Sequence, residues 1–111
     1  MIAVKIEQFN KEEIDQRKTI AAAKRILTDY GRLVNIELSE NKQVDDYIKS
    51  IQSAIKKLPS DERKLLEAKY KEEMTIDQIG FINHYSRRQI FRKLNQAYVD
   101  FAICCDIVIL K

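Results

Sequence analysis

TIDQIGFINHYSRRQIFRKL, Thr75 to Leu94, contains two helix-start patterns eleven residues apart. Thr75-Ile-Asp-Gln78 and Ser86-Arg-Arg-Gln89 each place a hydroxyl three residues before a glutamine. In such a capping box the hydroxyl accepts a backbone N–H of the first turn, and the glutamine side chain reaches back to the cap. Two capped starts at this spacing leave room for a short helix, a tight turn and a second helix. That is helix-turn-helix spacing.

The apolar positions agree with this reading. Ile76 and Ile79 share one face of the first short helix, and Gly80 is placed for a close helix crossing. In the second helix Ile90, Leu94, Ala97, Tyr98 and Phe101 recur at three and four residues, so they face inward. Arg87, Arg88, Arg92 and Lys93 fall off that stripe, and no carboxylate occurs from Asn83 to Val99. They lie on the N-terminal half of the helix, the part that meets base edges in the major groove. Arginine forks suit guanine or phosphate. Gln89 suits adenine, although its capping role competes. The expected double-stranded DNA contacts are therefore Ser86, Arg87, Arg88, Gln89, Arg92 and Lys93, on a recognition helix of about Arg87–Phe101.

Upstream, Leu58-Pro59 interrupts a helical pattern, because proline disfavours helix in the residue before it. Ser60 is expected to cap a helix with Asp61 and Glu62 in its first turn, Leu65, Leu66, Ala68 and Tyr70 on its buried side, and an end in Lys71-Glu-Glu-Met74. Before the proline, two seams repeat in heptad fashion: Ile20, Ala23, Leu27, Tyr30 and Val34, then Val44, Ile48, Ile51, Ile55 and Leu58. The first predicts a helix from an Asn10 cap to about Leu38, spanning roughly 40 Å. The second predicts a helix from about Gln43 to Lys57, antiparallel to the first across the polar loop Glu37–Lys42. Gly31 marks a kink or a close crossing. The longer first helix overhangs its partner and needs cover from the C-terminal part or from another subunit. Met1–Ile6 alternates like a strand and fits either pairing with Ile107–Leu110 or an arm packed on helices.

The chain is accordingly expected to be all-α: a helical hairpin over residues 1–57, then a helix-turn-helix bundle over residues 58–111. Composition supports this. Of 111 residues 33% are charged, with two glycines and one proline. The net charge of +3 does not by itself demand nucleic acid, and outside the Asn83–Val99 segment acids and bases are nearly balanced. Cys104 and Cys105, the only cysteines, have no metal-ligand spacing and read as small apolar residues of a reducing cytoplasm. No signal-peptide pattern and no membrane-length apolar run occurs, so a cytoplasmic, membrane-free protein is expected. No cofactor or metal motif is present, and an enzyme is not expected. His84, the one histidine, reads as a turn residue or a phosphate neighbour. Asp45-Asp46 and Glu72-Glu73 read as solvated surface.

From Ile55 to Ala102 the sequence IKKLPSDERKLLEAKYKEEMTIDQIGFINHYSRRQIFRKLNQAYVDFA resembles region 4 of sigma-70 family factors. The likeness rests on the leucine-proline lead-in, the acidic first helix, the threonine-capped second helix and the serine-capped, arginine-led third. Most of the chain is also similar to ArpU-type regulators of phages and prophages of Gram-positive bacteria. That likeness is carried by IDQRKTIAAAKRILTDYGRL (Ile14–Leu33), VDDYIKSIQSAIKKLPSDERKLL (Val44–Leu66) and NQAYVDFAICCDIVILK (Asn95–Lys111). It implies a small transcriptional regulator of phage or prophage genes and puts the six candidate residues on the recognition helix. The sequence departs from the sigma pattern in the turn, where His84 replaces glycine and Asn83 a leucine. Phe81 and Ile82 stand where charge is usual, and the expectation is that they pack on the N-terminal hairpin rather than form a partner surface.

Region 4 also touches RNA polymerase, so a rival reading is an interaction module with little DNA affinity. A third is a phage DNA-packaging component resembling a small terminase, which would form a ring. The sequence has no counterpart of the promoter-melting region of a sigma factor, so activation is expected to work by recruiting polymerase or reorganising DNA. The two seams suit a homodimer on a two-part site.

Overall fold

The computed structural model describes residues 14–34 and 42–107. Over these residues the chain is all-α: α1 Gln16–Val34, α2 Lys42–Lys56, α3 Ser60–Leu66, α4 Ile76–Asn83 and α5 Arg87–Cys104. Helix α3 runs directly into a π turn, Glu67–Lys71. Asn10, Leu38, most of the predicted 37–42 loop and the pairing of Met1–Ile6 with the C-terminal run lie outside the described residues, apart from Ile107. Among the described residues no helix is long and apolar enough to cross a membrane.

Two helix starts differ from expectation. Helix α1 begins at Gln16, with Asp15 as its cap: the Asp15 carboxylate accepts the Lys18 N–H at 3.1 Å, and the Asp15 carbonyl accepts the Thr19 N–H at 2.9 Å. Over the described residues the helix is 19 residues long, or about 28 Å. Ser60 does not cap α3. It is already helical, Pro59 occupies the cap position, and no side chain caps that end. The fixed φ of proline suits a helix entry, so the chain turns in one residue earlier, and the Pro59 carbonyl accepts the Arg63 N–H at 2.9 Å.

Helix α5 is the centre of the molecule. It contacts α1, α2, α3 and α4. Ile90, Leu94, Ala97, Tyr98 and Phe101 are all buried, as their spacing predicts. Val99, Asp100, Ala102 and Ile103 are buried as well. Val99 and Ile103 belong to a second, smaller cluster with Ile14, against which Ile20 packs. The C-terminal half of α5 is therefore covered on more than one side, as a helix that is apolar nearly all round must be. Asp100 is accommodated there because its carboxylate accepts the Gln96 amide at 2.9 Å.

The main core joins both halves of the chain. Ala23, Leu27 and Tyr30 of α1 and Ile51, Ala54 and Ile55 of α2 pack in one cluster with Leu58, Leu65, Leu66, Ile79 and the inward face of α5. Helices α1 and α2 touch, but α1 makes its larger contact with α5.

Gly31 explains one close approach. A Cβ at Gly31 would sit 2.8 Å from the Tyr70 carbonyl oxygen, so α1 is pressed against the backbone of the π turn. That turn is held by the Glu72 N–H donating to the Glu67 carbonyl at 3.0 Å. The extra residue delays the helix by part of a turn, and Tyr70 reaches α5, where its hydroxyl meets that of Tyr98 at 2.7 Å. Gly80 does the same work in α4: a Cβ there would stand 2.9 Å from the Tyr85 carbonyl oxygen and 3.1 Å from Ile90 Cδ1.

Candidate nucleic-acid interface

The site begins with the connection between α4 and α5. Both capping boxes form in full. The Thr75 hydroxyl accepts the Gln78 N–H at 3.1 Å while Gln78 Oε1 accepts the Thr75 N–H at 2.9 Å. Ser86 and Gln89 repeat the exchange at 3.1 and 2.8 Å. Each box satisfies N–H groups that a helix start leaves unpaired, worth about 0.5–2 kcal/mol per cap. The connection itself is short. His84 takes a left-handed conformation, φ 57° and ψ 37°, and the Tyr85 N–H returns to the Gly80 carbonyl at 3.0 Å. Histidine thus fills a position that glycine favours. Asn83 stays in α4 and donates its side-chain amide to the Ile79 carbonyl at 2.9 Å.

All six sequence-predicted residues come together on the cap and first two turns of α5, but they divide into two kinds. Arg87 and Lys93 flank the helix and tie it to its neighbours. The Arg87 guanidinium lies 2.9 Å from the Asp77 carboxylate of α4 and over the Phe91 ring at 5.4 Å. The Lys93 ammonium lies 3.4 Å from Asp61 of α3 and over the Tyr85 ring at 5.2 Å. Lys93 is only 29% exposed at its side chain, so it braces α3 against α5. Arg87, at 63%, is held loosely enough to exchange Asp77 for phosphate.

Arg88, Gln89 and Arg92 are exposed between these flanks. Among the described residues neither Arg88 nor Arg92 is paired with a carboxylate. Gln89 spends its carbonyl oxygen on the Ser86 N–H, which leaves its NH₂ to donate outward. Asn95 is exposed as well and extends the row, because residues 88, 92 and 95 stand at helical four-then-three spacing. It is not among the six residues expected from the sequence. Its signal was that spacing, and its amide fork matches adenine.

Phe81 and Ile82 correct another expectation. They do not pack on the N-terminal helices: Phe81 is 85% exposed and Ile82 60%. With Met74, Asp77 and Gln78 they line a shallow apolar groove on α4. Phe91, 44% exposed, stands beside Arg87.

Within the near-balance of charge outside the Asn83–Val99 segment, one helix stands out. Helix α1 alone carries Arg17, Lys18, Lys24, Arg25 and Arg32 against the single carboxylate of Asp29. Among the described residues no group of three His, Cys, Asp or Glu side chains is arranged to hold a metal.

The chain matches no protein-family model, no curated protein and no solved structure.

Proposed function

We propose that this protein is a sequence-specific double-stranded DNA-binding transcriptional regulator, with α4 and α5 acting as a helix-turn-helix of the sigma region 4 kind. The observation that carries the proposal is the exposed row of Arg88, Arg92 and Asn95, with Gln89 beside it, on the capped N-terminal half of α5. Bidentate arginine and amide groups on the outer face of a rigid helix are what major-groove readout requires. The helix is stiffened by the buried side of α5, and it is oriented by Arg87–Asp77 and Lys93–Asp61. That the target genes belong to a phage or prophage rests on the ArpU-type resemblance alone.

The test is selection from a random duplex pool, followed by binding of the enriched sequence across a salt series. A defined motif with a steep salt slope is the expected result, since each neutralised phosphate contributes about 0.9 to that slope. A two-fold symmetric motif would add a homodimer. An unenriched pool with flat, weak binding would sink the proposal.

One observation favours the rival reading, a module that works through a protein such as RNA polymerase. Phe81 and Ile82 form an exposed apolar patch on α4, and such patches commonly mark protein contacts. The two readings are compatible if α5 meets DNA and α4 meets the partner.

A further inference from the structure

The solvent face of α1 carries more positive charge than any other helix of the fold explains. Arg17, Lys18, Lys24, Arg25 and Arg32 are all exposed. At about 100° per residue they fall within one third of the helix circumference, opposite the buried Ala23, Leu27 and Tyr30. Arg17 and Lys24, Lys18 and Arg25, and Arg25 and Arg32 are each seven residues apart, about two turns or 10.5 Å. The side chains between them are small: Ala21, and Thr28, whose hydroxyl folds back onto the Lys24 carbonyl at 2.7 Å; the exposed Asp29 borders the row, four residues from Arg25 and three from Arg32.

Two features separate this face from an ordinary solvated one. The first is its lack of acidic partners, since Lys24 instead lies over the Tyr98 ring. Among the described residues none of the five cations pairs with a carboxylate, whereas Lys49 on α2 pairs with Asp45 one turn away. The second is placement. Helix α1 has Arg17 and Lys18 in its first turn and no acid there; the acid at this helix start is the capping Asp15 carboxylate, which accepts the Lys18 N–H. Helices α2, α3 and α4 all carry acid in their first turns. Arg17 and Lys18 thus add positive charge at a helix start, and a polyanion outside the chain would complement them.

We propose that the solvent face of α1 is a second DNA-backbone surface, which lies on phosphates flanking the segment met by the first turns of α5. This inference rests on the DNA-binding reading above. Helix α1 is joined to the later part of α5, with the Lys24 ammonium 5.5 Å from the Tyr98 ring centre. Tyr98 is ten residues beyond Arg88, about 15 Å along the helix. From Lys18 to Arg32 the cationic row runs about 21 Å, a length over which a duplex presents roughly a dozen phosphates. The surface has no base-reading geometry. It adds affinity and register, and sequence choice stays with α5.

The experiment uses the full chain and two duplexes: the selected motif alone, and the motif with about one further helical turn on each side. The wild-type protein is expected to bind the flanked duplex about tenfold more tightly at low salt, with a steeper salt slope. The combined variant Arg17→Gln, Lys18→Gln, Arg25→Gln and Arg32→Gln is expected to lose that gain and roughly two to four units of slope. It should keep its preference for the motif over a scrambled sequence. Arg17→Lys, Arg25→Lys and Arg32→Lys together should retain the gain, since charge rather than fork geometry is what phosphate attraction needs. A folded Gln variant that binds the flanked duplex as wild type does would overturn the inference. So would a wild-type protein that gains nothing from the flanks, a result that needs no variant to fold. In both cases motif binding by α5 stands. If the wild-type protein binds no duplex at all, both readings fall together.

Discussion

The phenolic oxygens of Tyr70 and Tyr98 lie 2.7 Å apart, with the two rings edge to face at 68° and 6.3 Å between centres. This pair fastens the π turn to α5, and its members are unequally sheltered. Tyr98 is 1% exposed, whereas Tyr70 is half-buried. Removal of one hydroxyl therefore has different consequences on each side. Tyr70→Phe strands a buried hydroxyl on Tyr98 and is expected to cost about 1–3 kcal/mol. Tyr98→Phe leaves Tyr70 near water and should cost about 1 kcal/mol or less. The double variant should fall well short of the sum of the singles. Urea unfolding of the four proteins measures all three values. Equal single-variant costs would show that the pair is not sheltered as described.

The same burial sets the alkaline limit of stability. It pushes Tyr70 and Tyr98 up, Tyr98 the further, and it pushes the Cys104 thiol up and the Cys105 thiol to about 11. Each group is held neutral in the folded chain, so the unfolded chain releases its proton first. Stability from these groups is complete below the ordinary thiol range and falls as pH rises through it, then falls further through the phenol range. The urea midpoint is expected to decline from about pH 9 upward. Cys104→Ala with Cys105→Ala should delay the onset toward pH 10. Iodoacetamide should label these thiols slowly at mildly alkaline pH, since the thiolate is the reactive form.

How far the sequence could be read depended on the range of the forces involved. The two capping boxes are local, and both formed as their spacing required. The inward faces of α1, α2 and α5 follow from helical periodicity, and those residues are buried or pack against the core, except Val44, which is half-buried outside it. The start of α1 was harder, because Asn10 and Asp15 are both good caps and only the downstream packing of Ile14 with Val99 and Ile103 separates them. Burial of Asp100 and Ile103 was not legible, since it depends on a second layer reaching the far side of α5. The roles of Arg87 and Lys93 were equally hidden, as Asp77 and Asp61 lie ten and thirty-two residues away in sequence.

Glycine and histidine at two special positions should respond in opposite directions. Gly31→Ala would place a Cβ 2.8 Å from the backbone oxygen of Tyr70, an atom that cannot rotate away. A cost of about 1–3 kcal/mol is expected. His84 holds φ at 57°, in a region that disfavours side chains by about 1–2 kcal/mol. His84→Gly should relieve part of that and raise the unfolding midpoint, less the added freedom of the unfolded chain. Thermal unfolding checks both signs.

The two kinds of cation on α5 should separate in paired assays. Arg88→Ala and Arg92→Ala are each expected to weaken binding to the selected duplex by about 1–3 kcal/mol and to relax the sequence preference at one position. Neither should alter the unfolding midpoint, since both side chains are exposed. Lys93→Ala should do the reverse in kind. It removes the contacts to Asp61 and Tyr85, so it should lower stability by up to about 1 kcal/mol and change affinity without changing the preferred motif. A Lys93→Ala protein with wild-type stability and an altered motif would place Lys93 among the base readers.

Phe81 and Ile82 offer a direct contrast between burial and exposure. If they packed on the N-terminal helices, Phe81→Gln would open a cavity and cost about 3–5 kcal/mol. With Phe81 85% exposed and Ile82 60%, each change to glutamine should stay within about 0.5 kcal/mol of wild type, since glutamine suits a helix as well as the residues it replaces. What should change is behaviour toward other surfaces. The apolar groove with Met74 is expected to promote self-association of the wild-type protein at high concentration. The double variant should sediment as the smaller species under those conditions. Binding to the selected duplex should persist, because the Arg88–Arg92–Asn95 row is on α5 and the substituted residues are on α4.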